Sequence, residues 1–282
     1  MPLLLVWDQK PESYRRSVLD VILGDPQAPA IVLIMGLGMQ SIAWPDEFCA
    51  GLAREGFRVV RFDNRDCGLS SRLSGGGTAQ LMLALAARWL RLPVRAPYTL
   101  ADMADDTAGL MEALGIASAH VVGASMGGMI AQNVAALHPQ RVASLTSIMS
   151  STGNPSPRVA LGRPRALRAI LTRPTSTSDV ESLVEHYVRV FGVIGSPGFA
   201  VDGELLRHNL RRIVSRGIHP AGTARQLLAI LASGDRRALL ARIVAPTPVV
   251  HGSEGPLLPV AAGRDTALPI PGGRRGSLGG LG

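Results

Sequence analysis

The alternation of short, continuous apolar runs with helix-length segments most constrains what this chain can fold into. Ala30–Met35, Phe57–Phe62, Ala119–Val122, Val142–Met149 and Ile243–His251 are rich in aliphatic and β-branched residues. Runs of this length suit strands buried on both faces. Helical segments lie between them. Pro45–Arg54 carries Asp46 and Glu47 in its first turn. Thr99–Leu114 has apolar positions at Leu100, Met103, Leu110, Met111 and Leu114, and Gly115 ends it. Gly128–His138 stops at Pro139, and Leu258–Leu268 reads as one more helix. Such alternation predicts an α/β class, with a mostly parallel central sheet flanked by helices.

The rhythm breaks at Ser150-Ser151-Thr152-Gly153-Asn154-Pro155 and resumes near Ile243. The intervening stretch is helical and Arg-rich, the pattern of a helical cap inserted between two strands. The expected organisation is therefore a core in two parts, residues 1–151 and 241–282, with a cap over 152–240. After Pro269 the chain turns Gly- and Arg-rich, from Pro271 to Gly282. Glycine weakens strands and offers nothing to pack, so this stretch predicts a poor strand.

At 282 residues, 46% of them hydrophobic, the chain has ample material for one large core, or one core with an insertion. Aromatic residues are only 4%, so aliphatic side chains must fill it. The net charge is +8, and Lys10 is the only lysine. The arginines are scattered, and no nucleic-acid motif accompanies them, so no nucleic-acid partner is expected. Cys49 and Cys67 read as two buried, reduced thiols. The start, Met1 to Asp8, lacks the basic region and length of a secretory signal. The longest apolar run, Ala28 to Met39, is too short to span a bilayer. A cytoplasmic protein without membrane attachment is the expectation, and its oligomeric state is left open.

Gly123-Ala124-Ser125-Met126-Gly127 sits where a strand runs into a helix. A serine there is held on a sharp bend with its Oγ exposed, and the flanking glycines avoid collisions with neighbouring backbone. Acyl transfer also needs donors for the developing oxyanion. The backbone N–H of Met126 is one candidate. The loop Met35-Gly36-Leu37-Gly38-Met39-Gln40 supplies the other, at the N–H of Leu37.

Met35–Gly38, Arg61-Phe62-Asp63-Asn64-Arg65-Asp66-Cys67-Gly68-Leu69-Ser70-Ser71, Gly123–Gln132 and His251-Gly252 together resemble the α/β-hydrolase superfamily. The branch most similar is that of bacterial esterases of the aclacinomycin methylesterase type. The resemblance spans about Trp7 to Gly282. It implies an α/β-hydrolase fold, a Ser–His–acid triad, a helical cap and a small carboxylic-ester substrate, with no metal or organic cofactor. Ser125 matches the nucleophile, and Leu37 and Met126 match the oxyanion donors. Asp63 matches a loop aspartate that is structural in this fold.

The chain departs from that pattern twice. The family's acid follows the strand ending at His251, but here the segment reads His251-Gly252-Ser253-Glu254-Gly255-Pro256, with Gly255 in the acid's place. The family's histidine follows a Gly-x-Gly turn, onto which Gly280-Leu281-Gly282 aligns, so a truncated C-terminus is the expectation. Two substitutes present themselves: Glu254 for the acid and His251 for the base. Each has a plainer alternative, a solvated loop carboxylate for Glu254 and a pocket-wall residue for His251. His120 and His138 read as structural, and His186, His208 and His219 fall in the expected cap. The functional expectation is a carboxylic-ester hydrolase of esterase or lipase type, with impaired turnover. The alternative is a catalytically weak or inactive binding protein on the same fold. The apolar segment Leu227–Leu231 suggests an apolar acyl or alcohol group.

Overall fold

The computed structural model describes residues 4–6, 17–75, 78–90, 92–160, 162–172, 174–176, 179–195, 198 and 202–278. The turn expected at Gly280–Gly282 lies outside them, as does most of the N-terminal segment. An eight-stranded sheet forms the centre. Its strands are β1 (Leu4–Val6), β2 (Ser17–Leu23), β3 (Ala30–Ile34), β4 (Arg58–Phe62), β5 (Ala119–Ala124), β6 (Val142–Ile148), β7 (Pro248–Gly252) and β8 (Arg274–Leu278). Their spatial order is β1-β2-β4-β3-β5-β6-β7-β8. β2 is antiparallel to both β1 and β4, and all pairings from β4 to β8 are parallel.

Helices cover both faces. The first is α1 (Asp46–Arg54), followed by α2 (Thr78–Trp89), α3 (Leu100–Ala113) and α4 (Met126–Leu137). Between β6 and β7 lie α5 (Pro157–Ala160), α6 (Pro164–Leu171), α7 (Val180–Ile194), α8 (Gly203–Ser215), α9 (Pro220–Ser233) and α10 (Arg237–Leu240). α11 (Val260–Ala267) connects β7 to β8. Alternate residues of one strand serve opposite faces, as a two-residue period requires. Ile31 and Leu33 of β3 pack with Cys49 of α1, whereas Val32 and Ile34 join the larger core under α3 and α4. Cys49 and Cys67 are buried free thiols, as expected.

Several elements depart from the sequence reading. β1, β2 and α2 had no counterpart in it. The strand expected over Ile243–His251 begins only at Pro248, because Pro246 and Pro248 lack the N–H a ladder needs. The Pro246 carbonyl instead accepts from the Leu145 N–H at 3.0 Å. The glycine-rich tail does form a strand. β8 pairs with β7 from Pro248↔Arg274 to Gly252↔Leu278, and the Arg274 N–H donates to Thr247 at 3.0 Å. A parallel neighbour with free backbone groups outweighs weak intrinsic strand preference.

Candidate active site

Ser125 lies between the end of β5 and the start of α4, with φ 55° and ψ −118°. A positive φ at a non-glycine residue is strained and persists only where its surroundings enforce it. Here the Ser125 N–H donates to Ile148 at 2.9 Å, and the Ser125 carbonyl accepts from the Met129 N–H at 3.2 Å and the Ser150 hydroxyl at 2.8 Å. The glycines permit the bend. A Cβ on Gly127 would collide with the Ile34 carbonyl, and one on Gly123 with the Gly127 carbonyl.

The Gly36 loop lies directly against the serine. A Cβ on Gly36 would sit 3.2 Å from the Ser125 Cβ. Among the described residues, neither the Leu37 nor the Met126 N–H donates to any other group. Their lack of an acceptor beside Ser125 is what donors reserved for a ligand oxygen would require. The loop is held from two sides. Asn64 Nδ2 donates to the Met35 carbonyl at 2.8 Å, and the Gly38 N–H donates to Gln226 Oε1 at 2.8 Å.

Asp63 is fully buried and fully engaged. Its carboxylate accepts from the Ser41 N–H at 2.7 Å, the Leu69 N–H at 3.0 Å and Arg216 Nη2 at 2.7 Å. Arg216 Nε also donates to Gln40 at 2.8 Å, and Gln40 Nε2 in turn donates to the Ile213 and Gly217 carbonyls. Asp66 makes a two-pronged pair with Arg225, at 2.6 and 2.8 Å, and accepts from the Tyr98 hydroxyl at 2.9 Å. These contacts tie the inserted helices to the Asp63–Ser71 loop. The sequence shows no sign of these contacts by Gln40, Arg216, Arg225 and Gln226, because polar residues on helices and loops look solvent-facing.

The Ser125 hydroxyl has no hydrogen-bond partner among the described residues, and each histidine is engaged or placed elsewhere. His251 is 3% exposed; its Nε2 donates to the Leu258 carbonyl at 3.2 Å, and its ring packs on Gly263 of α11. Its Nδ1 has no partner among the described residues, and burial lowers its pKa, which keeps the imidazole neutral at pH 7. Glu254 is exposed two residues beyond β7. His120 Nδ1 meets the Ser144 hydroxyl at 2.8 Å, and His138 Nε2 meets Asp105 at 2.9 Å. His219 Nε2 donates to the Gly68 carbonyl at 3.1 Å, and His208 is exposed. His186 lines a cleft of about 290 Å³ between α6 and α7, none of whose lining residues belongs to the serine turn. Leu228 and Ala224 pack on Leu81 and Ala84 of α2, with Leu227 and Leu231 against them. The apolar segment read as a substrate contact is thus committed to packing. Among the described residues, no three His, Cys, Asp or Glu side chains converge as metal ligands. None of the helices there is long and apolar enough to cross a membrane.

This sheet order, with a serine on a glycine-flanked turn after β5, defines a hydrolase scaffold. Residues 29–272 match the alpha/beta hydrolase fold family, and the chain belongs to it. It is similar to rhodomycin D methylesterase DauP of Streptomyces sp. strain C5, 29% identical over 273 aligned positions that cover 89% of this chain and 84% of that one. It is also similar to the pimeloyl-[acyl-carrier protein] methyl ester esterase of Chromobacterium violaceum, 33% identical over 178 positions, covering 60% of this chain and 64% of that one. Among solved structures it resembles the enol-lactonase of Burkholderia xenovorans LB400, with a TM-score of 0.69 and 26% identity, covering 93% of this chain and 88% of that one. These relatives support hydrolase activity of the esterase kind.

Proposed function

We propose that this protein is a carboxylic-ester hydrolase acting on small or medium esters, with Ser125 as nucleophile and the Leu37 and Met126 N–H groups as oxyanion donors. The observation that carries the reading is the strained Ser125 turn pressed against Gly36 beside two N–H groups that have no acceptor among the described residues. In that chemistry the Ser125 Oγ attacks the acyl carbon and its proton passes to a base. The carbonyl oxygen takes the charge between the two N–H groups, and the alcohol leaves with a proton. Water then releases the acyl group. Methyl esters are the proposed substrate class, because two of the relatives described above are named methyl ester hydrolases. The inserted helices over residues 152–240 act as a cap that selects the substrate, in a cytoplasmic protein.

His251 is the proposed stand-in base, supported by its neutral, buried ring at the end of β7. With Nε2 on the Leu258 carbonyl and Nδ1 facing Gly263, the ring must turn to reach the serine. Glu254 is the proposed substitute acid. Neither is hydrogen-bonded to the serine, so turnover is expected to be slow. The same partnerless hydroxyl favours the second reading, a binding protein that retains the pocket without turnover. A fluorophosphonate probe and p-nitrophenyl butyrate discriminate the two. Slow labelling that disappears in Ser125→Ala, with turnover that falls further in His251→Asn, supports the esterase. If wild type and Ser125→Ala label alike, no reactive serine exists. If an acyl ester binds but is not hydrolysed, the binding reading replaces the first.

A further inference from the structure

Resting on the hydrolase reading above, we propose that Gln226, inside the inserted segment, is a positioning residue that anchors the loop carrying the Leu37 oxyanion donor. Gln226 lies in the middle of α9 and is fully buried. Both ends of its amide are used: Oε1 accepts from the Gly38 N–H at 2.8 Å, and Nε2 donates to the Arg65 carbonyl at 2.8 Å. A flipped amide would set like against like at both ends, so the side chain has one satisfied orientation.

The peptide it grips, the Leu37 carbonyl with the Gly38 N–H, directly follows the Gly36–Leu37 peptide that carries the donor. Gly36–Met39 is a four-residue turn closed by the Met39 N–H donating to Gly36 at 3.2 Å. Gly38, its third residue, has φ +66°, and Leu37 does not have a positive φ, the pattern of a type II turn. Types I and II differ chiefly in the orientation of the central peptide, here the Leu37 carbonyl with the Gly38 N–H. Gln226 Oε1 binds that N–H and selects one orientation of this central peptide. That fixes the chain on the C-terminal side of Leu37, while the Leu37 N–H itself lies in the peptide before it. In the other orientation, the Leu37 carbonyl would face Oε1, acceptor against acceptor. Thr223, one turn earlier on α9, closes over the same place: a Cβ on Gly38 would lie 2.9 Å from its Oγ1. Below the loop, Asn64 holds the Met35 carbonyl. Leu37 is therefore suspended between a core anchor and an anchor from the insertion, with Gly36 against Ser125. No hydrogen bond joins Gln226 to Ser125, so its effect passes through the loop. The insertion thereby governs the rate of the chemical step as well as access.

The test compares wild type, Gln226→Met and Gln226→Glu. Fluorophosphonate labelling of wild type against Ser125→Ala first tells whether Ser125 is reactive; failure there overturns the hydrolase reading and leaves the positioning role to the exchange measurement below. In a reactive protein, Gln226→Met is expected to lower kcat and the labelling rate by about tenfold, with KM changed by less than about twofold. Gln226→Glu is expected to show the same loss at about pH 8, where the carboxylate faces the Arg65 carbonyl. It should recover relative to wild type at about pH 5, where a protonated carboxyl can again donate to Arg65 and accept from Gly38. The readout independent of turnover is amide hydrogen exchange at Gly38, expected to rise at least about tenfold in Gln226→Met. Wild-type labelling by a folded Gln226→Met overturns the proposal, and so does unchanged Gly38 exchange. If Gln226→Met does not fold, the size-conserving Gln226→Glu decides: a ratio to wild type that does not vary with pH overturns it.

Discussion

At the scale of single residues, the serine turn is a contest between chain geometry and the strain it must hold. Ser125 adopts φ 55° because its N–H and carbonyl are both taken by β6 and its flanking segment and because Gly123 and Gly127 leave room for the bend. The prediction at this scale is Gly127→Ala. The added methyl would meet the backbone carbonyl of Ile34, which cannot yield as a flexible side chain would. The expected cost is about 3 kcal/mol or more, in the range of overpacked cores. Urea unfolding would measure it; a loss below about 0.5 kcal/mol, the usual scale of surface changes, would show that β3 and α4 separate easily. Of the proposed site, Ser125, Leu37 and Met126 are the residues the sequence offers, because they sit on short local motifs. Gln226 is not: its role depends on a partner 188 residues away in sequence.

Among the elements, α3 shows how local signals and tertiary packing agree. Thr99 caps it, with the Asp102 N–H donating to Thr99 Oγ1 at 3.4 Å and the Thr99 N–H donating to Asp102 Oδ2 at 2.7 Å. Leu100, Met103, Leu110 and Met111 then fall on the buried side, as their spacing predicts. Thr99→Ala should cost about 1 kcal/mol, the usual worth of an N-cap. The same change should leave Ser125 labelling unaltered, and a large loss of labelling would mean that α3 is coupled to the site. β8 shows the opposite case. Its residues, Arg274 to Leu278, have little strand preference, yet they complete the sheet because β7 presents unpaired backbone groups beside them. α9 belongs with β8. Its apolar residues read as a pocket wall but pack against α2 and, through Ala229 and Ile230, the main core.

For the molecule as a whole, the decisive feature is how the insertion closes on itself and on the core. Its two ends meet: the Arg236 N–H donates to the Thr152 carbonyl and Arg236 Nη2 to the Ser151 carbonyl, each at 2.8 Å. Burial lowers the Arg236 pKa to about 10, which leaves the guanidinium charged near neutral pH. Among the described residues, Asp66–Arg225 is the deepest ion pair across the junction, with side chains 0% and 7% exposed. Removing one partner of such a pair strands a buried charge, so Arg225→Met should destabilise the protein by about 3–5 kcal/mol. Burial pushes the Asp66 carboxyl up, but hydrogen bonds from Arg225, the Leu73 N–H and Tyr98 outweigh it and hold the pKa below the ordinary value. A carboxylate lowered in the folded state stabilises it above the unfolded pKa of about 4, and that contribution is lost as pH falls through the folded value. Thermal melts between about pH 6 and pH 2 should therefore show a steeper acid loss in wild type than in Arg225→Met. Parallel curves would show that Asp66 is not held by this pair.

The sequence alone determined the alternation of strands and helices, the run of helices between β6 and β7, and the serine turn. Each rests on residues near one another in the chain, where periodicity, glycine and proline act directly on the backbone. Only the tertiary structure decided that residues 274–278 become a strand, that Leu227–Leu231 serve packing, and that His251 turns toward the Leu258 carbonyl and α11. It alone also decided that Gln226 reaches the Gly38 N–H. These outcomes depend on which backbone groups and cavities are left over once distant segments have packed, and no local pattern encodes that remainder.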